Sequence, residues 1–229
     1  MIAAAAASLA PGGLASLAAA TGPGGEGLTV DRADGAGGGR RPGVILIHGA
    51  DGLSQRQNYL MASSALSAQG FTVLFPHYFA RRPNPGSYDA IEAGFPGWLR
   101  ALGDVVDTAA RDPAIEPGRL ALVGISLGGT LALSLAARDR RIRAVVSYFG
   151  FAPRDLPPAP AQAPTLILHG RADRVVPVRN ADAIEKLLRA RGADVEKQIY
   201  DGEGHGFSRS AQLDAAMRTA SFLQRHLAS

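Results

Sequence analysis

A single pentapeptide, residues 124–128 (Gly-Ile-Ser-Leu-Gly), restricts the possible folds of this chain more than any other segment. It follows the apolar run 120–123 and precedes residues 129–135, whose composition predicts a helix. A G-x-S-x-G sequence between a strand and a helix is typical of a turn so tight that the serine needs neighbours almost without side chains. Such a turn places the hydroxyl of Ser126 at a helix N-terminus, where developing negative charge is stabilised. The alternative is a glycine-rich turn that serves packing only.

Two residues later in the chain favour the catalytic interpretation. Asp173 follows the predicted strand 165–168, and His205 follows the predicted strand 195–200. Ser126, Asp173 and His205 therefore occur in the order nucleophile, acid, base that is typical of an α/β-hydrolase. Because ligands of open α/β sheets bind outside the carboxyl ends of the strands, we expect the three side chains at one rim. Either loop residue alone would be interpreted as a turn residue, but the ordered set predicts a Ser–His–Asp catalytic triad.

The remaining sequence alternates between strand and helix patterns. Strand patterns occur at 44–47, 72–75, 120–123, 144–148, 165–168 and 195–200. Helix patterns occur at 54–69, 95–111, 179–191 and 211–226. This alternation predicts an α/β-hydrolase fold with a mainly parallel sheet flanked by helices on both faces. The segment 151–160 is too rich in proline for a helical lid, so we expect no cap domain.

The length of the chain suggests one folded domain. Its 229 residues are enough for a sizeable core. We expect the α/β-hydrolase catalytic domain to span 41–229 and to follow a low-complexity or signal-like N-terminal segment, 1–40. Within that segment, 28–30 (Leu-Thr-Val) is a strand candidate. The sequence predicts neither an internal repeat nor a second domain.

The first twenty residues leave two explanations open. Residues 1–20 are mostly alanine, interrupted by Pro-Gly-Gly at 11–13, and 17–20 resembles a signal cleavage site. A secretory signal starts with basic residues, whereas the first basic residue here is Arg32. The protein is either an exported, periplasmic precursor that starts further upstream or a cytoplasmic protein with a poorly ordered extension. In both cases we expect residues 1–20 to be disordered in, or absent from, the working protein.

Charge and cysteine content argue against several classes of function. There are 24 Lys and Arg against 20 Asp and Glu, and the only dense basic cluster is 138–143. That cluster lies between a helix and a strand, opposite the predicted site, so a solvated turn is favoured over a nucleic-acid surface. Without cysteine there is no disulfide and no thiolate ligand or nucleophile, and no apolar run suits a transmembrane helix. We therefore expect no cofactor, metal, nucleic-acid or membrane partner, and we favour a monomer.

The predicted triad requires donors for the oxyanion that forms when the serine attacks a carbonyl group. One should be the backbone N–H of Leu127, the residue after the nucleophile. The second should come from the loop 48–52, where the N–H of Ala50 is the favoured candidate. His48 and His169 each end an apolar strand, and we interpret both as structural histidines rather than catalytic bases.

From residue 42 to the C-terminus, the chain resembles the dienelactone hydrolases. The matching segments are 124–129 (Gly-Ile-Ser-Leu-Gly-Gly), 148–150 (Tyr-Phe-Gly), 168–173 (Leu-His-Gly-Arg-Ala-Asp) and 204–207 (Gly-His-Gly-Phe). The resemblance implies a small, lidless hydrolase that acts on esters or lactones without a cofactor. Two departures concern the nucleophile: the family has cysteine where Ser126 stands and glutamate where Gly49 stands. That glutamate is tied to activation of the thiol, so both changes fit serine chemistry.

The resemblance also implies candidate residues for substrate binding. Arg81 and Arg209 match in position the arginines that hold the substrate carboxylate in the family, and Arg82 could replace Arg81. Such a pair could clamp an anionic substrate through bidentate contacts. The alternative is that both are solvated surface arginines.

Three hypotheses for the function follow from these residues. The first is a serine hydrolase that cleaves a small-molecule ester or lactone through an acyl-enzyme. The second is a peptidase or thioesterase with the same triad, because a fold does not determine the leaving group. The third is a catalytically silent member that binds a ligand, against which the intact set Ser126, Asp173 and His205 argues.

Overall fold

One eight-stranded sheet organises the part of the chain that the computed structural model describes, residues 15–20, 28–36, 38–81, 85–154, 156–157 and 163–228. The strands are β1 (Ala15–Ala20), β2 (Leu28–Ala33), β3 (Arg41–Ile47), β4 (Thr72–Pro76), β5 (Ile115–Ile125), β6 (Ile142–Tyr148), β7 (Thr165–Gly170) and β8 (Val195–Tyr200). Their order across the sheet is β1-β2-β4-β3-β5-β6-β7-β8. The strands from β4 to β8 in this order pair in parallel, whereas β1 and β2 pair antiparallel at one edge. The predicted mainly parallel sheet is confirmed.

Helices cover both faces of this sheet. The α-helices are α1 (Arg56–Ser67), α2 (Tyr88–Arg111), α3 (Leu127–Ala136), α4 (Arg179–Arg189) and α5 (Arg209–Leu227), and a 3₁₀ helix spans Tyr78–Arg81. Residues of α2, α3 and α4 pack in the apolar core on one face, and residues of α1 and α5 pack in the core on the other. The predicted two-sided arrangement of helices is therefore confirmed.

Strand β3 shows why the buried strands are continuous apolar runs in the sequence. Ile45 and Ile47 contribute to the core on the α2, α3 and α4 face, whereas Val44 and Leu46 contribute to the core on the opposite face. All four side chains are at most 1% exposed. Because successive side chains of a strand point to opposite faces, a strand covered on both sides must be apolar at every position.

Two elements begin earlier than the sequence pattern indicates. Helix α2 begins at Tyr88 rather than near residue 95, and the Ser87 hydroxyl caps it by accepting the Ala90 N–H at 3.2 Å. Pro96 lies inside this helix, where its missing N–H removes one hydrogen bond without ending the helix. Strand β5 begins at residue 115 rather than 120. Between β6 and β7, the described residues 151–154, 156–157 and 163–164 form no helix.

The sheet also extends beyond the N-terminal boundary at residue 41 that the sequence suggested. Strand β2 includes the candidate 28–30, pairs with β4 and buries the ion-paired Asp31. The folded unit therefore includes β2, which its glycine-rich surroundings conceal in the sequence. Strand β1 pairs with β2, although we expected residues 1–20 to be disordered. Residues 1–14 lie outside the described part of the chain.

The basic cluster 138–143 spans the turn after α3 and the first two residues of β6, at the end of the sheet opposite the carboxyl ends of the strands. Arg141 forms ion pairs with Asp107 and Asp139, both at 2.6 Å. These pairs neutralise part of the cluster, as expected of a solvated turn. Of the helices described, none combines the length and the apolar character needed to cross a bilayer.

Candidate active site

Ser126 occupies a strained turn between β5 and α3. Its φ and ψ angles are 54° and −117°, a conformation that residues with side chains rarely adopt. A Cβ atom on Gly124 would lie 2.2 Å from the carbonyl oxygen of Gly128, and one on Gly128 would lie 2.2 Å from that of Ile47. No backbone could accept such contacts, so both positions require glycine. The segment 124–128 thus has the geometry of the predicted nucleophile elbow.

The surroundings of the elbow fix its backbone. The Ser126 N–H donates to the carbonyl oxygen of Tyr148 at 2.8 Å, which ties the turn to the end of β6. A Cβ on Gly129 would lie 2.6 Å from the buried Oγ of Ser147, which explains the doubled glycine. Leu127 is the first residue of α3, and N–H groups in the first turn of a helix have no acceptor within the helix. This N–H is therefore suited to bind an oxyanion beside Ser126.

The structure brings the three predicted catalytic side chains together at the carboxyl ends of β5, β7 and β8. The Ser126 Oγ lies 3.1 Å from His205 Nε2, and His205 Nδ1 lies 2.8 Å from Asp173 Oδ2. Because a carboxylate only accepts, Nδ1 carries the proton and Nε2 is left to accept from the serine hydroxyl. The Asp173 side chain is fully buried, whereas that of His205 is 21% exposed. The imidazole therefore lies where a substrate could reach it.

Asp173 is oriented by its own loop. Its Oδ1 accepts the backbone N–H groups of Val175 and Val176, both at 2.8 Å, so that Oδ2 is left for His205. His169 lies 3.5 Å from Oδ2 and donates from Nε2 to the carbonyl oxygen of Val176 at 2.8 Å. Burial lowers the pKa of His169 below its ordinary value, which favours the neutral ring. His169 thus supports the Asp173 loop, in agreement with its structural interpretation.

The loop that carries His205 is closed by contacts that the sequence did not reveal. The carboxylate of Glu203 accepts the Ser208 N–H at 2.6 Å and the Ser208 hydroxyl at 2.5 Å. The ring of Phe149 packs against the imidazole with a centroid distance of 4.7 Å, and the backbone of Phe149 has a positive φ of 38°. Phe149 belongs to the matching segment 148–150, which signals a role for it, but nothing in the sequence signals the role of Glu203. Together these contacts restrict the movement of His205.

The loop 48–52 lies directly against the nucleophile. A Cβ on Gly49 would lie 3.4 Å from Ser126 Cβ, so the backbone of this loop borders the serine. The oxyanion donor predicted on this loop, the N–H of Ala50, stays a prediction. His48 is fully buried and stacks on Tyr78 with a centroid distance of 4.0 Å. Burial lowers the pKa of His48 to about 4, so the ring is neutral and supports the loop.

The structure describes the side chain of only one of the two arginines predicted to bind the substrate carboxylate. Arg209 is exposed at the start of α5, four residues after His205. The backbone of Arg81 ends the 3₁₀ helix that follows β4, but its side chain lies outside the described part of the structure, as does Arg82. The anion clamp therefore stays a prediction. The described residues contain no group of three or more His, Asp or Glu that could hold a metal ion.

Comparison with known proteins identifies the family. Residues 30–226 match the model of the dienelactone hydrolase family. This chain belongs to the dienelactone hydrolase family. The resemblance from residue 42 onwards is confirmed, and the match begins earlier, within β2. Family membership supports a hydrolase.

Three proteins with related sequences or folds are distantly similar to this dienelactone hydrolase family member. A Yersinia pestis protein with the provisional name carboxymethylenebutenolidase is 26% identical over 161 residues, which cover 62% of this chain and 60% of the relative. The provisional dienelactone hydrolase of Klebsiella pneumoniae superimposes with a TM-score of 0.75 at 21% identity, covering 88% of this chain and 95% of that one. The dienelactone hydrolase-like promiscuous phosphotriesterase P91, from metagenomic libraries, gives 0.77 at 17% identity, covering 89% and 94%. At these identities the structures show the fold alone.

Proposed function

We propose that the protein is a serine hydrolase that cleaves small carboxylic esters or lactones through an acyl-enzyme intermediate. One observation carries the proposal: an unbroken hydrogen-bonded path runs from Ser126 Oγ through both ring nitrogens of His205 to the buried carboxylate of Asp173. A serine hydroxyl is a weak nucleophile, and an adjacent, oriented imidazole is the group that activates it. Family membership supports hydrolysis, and to this we add a small-molecule ester or lactone as the substrate.

In the first half of the reaction, Ser126 Oγ attacks the substrate carbonyl carbon while His205 Nε2 takes its proton. Asp173 accepts from Nδ1 and stabilises the imidazolium that forms. The carbonyl oxygen becomes an oxyanion, for which we propose the N–H groups of Leu127 and Ala50 as donors. The carbonyl then reforms, the bond to the leaving oxygen breaks, and that oxygen takes the proton from Nε2.

In the second half, water replaces the leaving group. His205 Nε2 takes a proton from the water as its oxygen attacks the acyl carbon, and the same oxyanion donors are used again. Collapse of this second tetrahedral intermediate breaks the bond to Ser126 Oγ, which regains its proton from Nε2. A lactone gives one hydroxy acid, because its leaving oxygen stays attached to the acyl group.

The experiment that tests this proposal measures hydrolysis of short p-nitrophenyl esters and of cyclic lactones. Replacing Ser126 by alanine should lower kcat by a factor on the order of 10⁴ or more, because covalent catalysis is lost. Ser221→Ala, which changes an exposed serine of α5, is the matched control and should keep wild-type rates. Near wild-type ester hydrolysis by Ser126→Ala would refute the proposal. Activity only on thioesters or peptides would favour the alternative leaving groups.

A further inference from the structure

The hydroxyl group of Tyr59 connects two parts of the loop beside the nucleophile. It accepts the backbone N–H of Gly49 at 3.1 Å and donates to Asp51 Oδ1 at 3.0 Å. Tyr59 belongs to α1, is 2% exposed and stacks on Phe75 with a centroid distance of 5.1 Å. The hydroxyl is therefore held by a rigid part of the core and not by the loop itself.

Both groups that Tyr59 joins lie close to the reacting serine. The position that a Cβ on Gly49 would take is 2.9 Å from Asp51 Oδ1 and 3.4 Å from Ser126 Cβ. Gly49 and Asp51 flank Ala50 in the chain, so Tyr59 holds the peptide group before Gly49 and the side chain of Asp51, one on each side of Ala50. The turn is closed by a further bond from the Gly52 N–H to the Gly49 carbonyl oxygen at 3.1 Å.

The proton arrangement of this unit is well defined. Burial raises the pKa of Tyr59 well above its ordinary value, so its hydroxyl keeps the proton that it donates. The half-buried Asp51 accepts the hydrogen bond from this hydroxyl, and the Gly49 N–H donates to the tyrosine oxygen. The Gly49 N–H therefore cannot serve the oxyanion at the same time, whereas the Ala50 N–H takes no part in these bonds.

We infer that Tyr59 and Asp51 are positioning residues for the reaction, which hold the loop 49–51 so that the Ala50 N–H remains directed at the oxyanion. The inference rests on the proposed serine hydrolase function. In this role the two side chains act through the backbone donor that they place, and not on the reacting atoms themselves. An oxyanion donor acts only when it is preorganised at the position where charge develops, and a small displacement weakens it steeply.

The test compares steady-state kinetics of wild type and Tyr59→Phe, which removes the hydroxyl but keeps the ring that stacks on Phe75. Loss of an oxyanion donor lowers kcat by about 10²–10³-fold, so a displaced donor should lower it by roughly 10–100-fold. KM should change by less than about threefold, because the lost interaction belongs to the transition state. Inhibition by phenylboronic acid, which forms a tetrahedral adduct with a serine, should weaken by a similar factor to kcat.

A control and two further variants separate positioning from general stability. Tyr200→Phe removes another tyrosine–aspartate hydrogen bond, which joins Tyr200 to Asp214 at 2.7 Å. Because this bond does not involve the loop 49–51, the variant should keep wild-type kcat. Asp51→Ala should resemble Tyr59→Phe, whereas Asp51→Asn retains an acceptor oxygen and should stay within about threefold of wild type. The double variant Tyr59→Phe/Asp51→Ala should lose no more than the worse single variant, because the two changes break one unit.

Several outcomes would overturn the assignment. One is a Tyr59→Phe kcat within threefold of wild type, or a loss equal to that of Tyr200→Phe. Another is an Asp51→Asn loss as large as that of Asp51→Ala, which would decide the question even if Tyr59→Phe folded poorly. If the wild-type protein is active and either result is found, the positioning role is overturned and the proposed function is not. Wild-type protein without esterase or lactonase activity would overturn the proposed function as well.

Discussion

The elbow at 124–128 and the loop at 48–52 border the same hydroxyl group, but they are held in different ways. In the elbow, backbone packs directly on backbone, with 2.2 Å between the Cβ position of Gly128 and the carbonyl oxygen of Ile47. The loop is held by side chains instead, through the hydroxyl of Tyr59 and the carboxylate of Asp51. A backbone contact leaves no choice of residue other than glycine, whereas a side-chain contact can be built from many residue types.

This difference predicts that a methyl group is far more damaging in the elbow than in the loop. Gly128→Ala should destabilise the fold by about 3 kcal/mol or more, because neither α3 nor β3 can withdraw its backbone. The measurement is urea unfolding followed by circular dichroism.

Gly49→Ala is the matched control for that experiment. Its added Cβ would meet Asp51 Oδ1 at 2.9 Å, a side-chain oxygen that can move away, and its nearest backbone atom, the Ile125 carbonyl oxygen, lies at 3.3 Å rather than 2.2 Å. We expect a loss of about 1 kcal/mol of stability, together with a fall in kcat as Asp51 is displaced from Tyr59. Equal destabilisation by the two substitutions would contradict the distinction between backbone-held and side-chain-held regions.

Acid should destabilise the fold through the buried histidine of the side-chain-held loop, His48. Because burial lowers the pKa of His48 to about 4, the unfolded chain binds this proton more readily than the folded one. The contribution of His48 to the free energy of unfolding is therefore fully present above the ordinary histidine pKa. It is lost as the pH decreases from about 6.5 towards 4, which lowers the free energy of unfolding by on the order of 3 kcal/mol. Burial shifts the pKa of His169 in the same direction.

Unfolding free energies measured between pH 7 and pH 4 check this expectation. His48→Phe keeps a ring against Tyr78 and removes the titrating group, so its stability should depend less on pH than that of wild type. An unchanged pH slope in the variant would show that His48 is not responsible for the acid sensitivity.

The substrate side of the cleft is tested by Arg209→Ala. If Arg209 binds a substrate carboxylate, the substitution should lower kcat/KM for an anionic ester by roughly 1–3 kcal/mol and leave neutral esters nearly unchanged. Added salt should weaken the preference only in part if the bound substrate covers the contact, since a covered ion pair is screened less than an exposed one. Equal losses on both substrates would mean that Arg209 supports the His205 loop instead.

The smallest effect is expected at the N-terminus. Strand β1 lies at the outer edge of the sheet and pairs with β2, several strands away from β5 and Ser126. A chain that starts at Gly22 should therefore keep its esterase activity and lose little thermal stability. A large fall in the melting temperature of the truncated protein would show that the edge strand is needed by the fold.

The sequence predicts the fold and the meeting of Ser126, Asp173 and His205 because these features depend on strong local patterns. Buried strands need continuous apolar runs, and the elbow needs glycine at fixed spacing. The contact of Tyr59 with Asp51, and that of Glu203 with Ser208, could not be predicted, because each joins common residues across a loop without a characteristic spacing. Strand β2 was assigned to the extension 1–40 for a related reason, since six residues among glycines carry a weak strand signal.

The central claim, that Ser126 is the nucleophile, is tested most directly by covalent trapping. The protein is treated with a fluorophosphonate and digested with trypsin, which releases Ser126 in the peptide 120–138 together with Ser134. Fragment mass spectra distinguish the two serines. We expect one adduct per chain, located on Ser126 and absent from Ser126→Ala. An unreacted wild-type protein, or an adduct on Ser134 or elsewhere, would contradict the assignment.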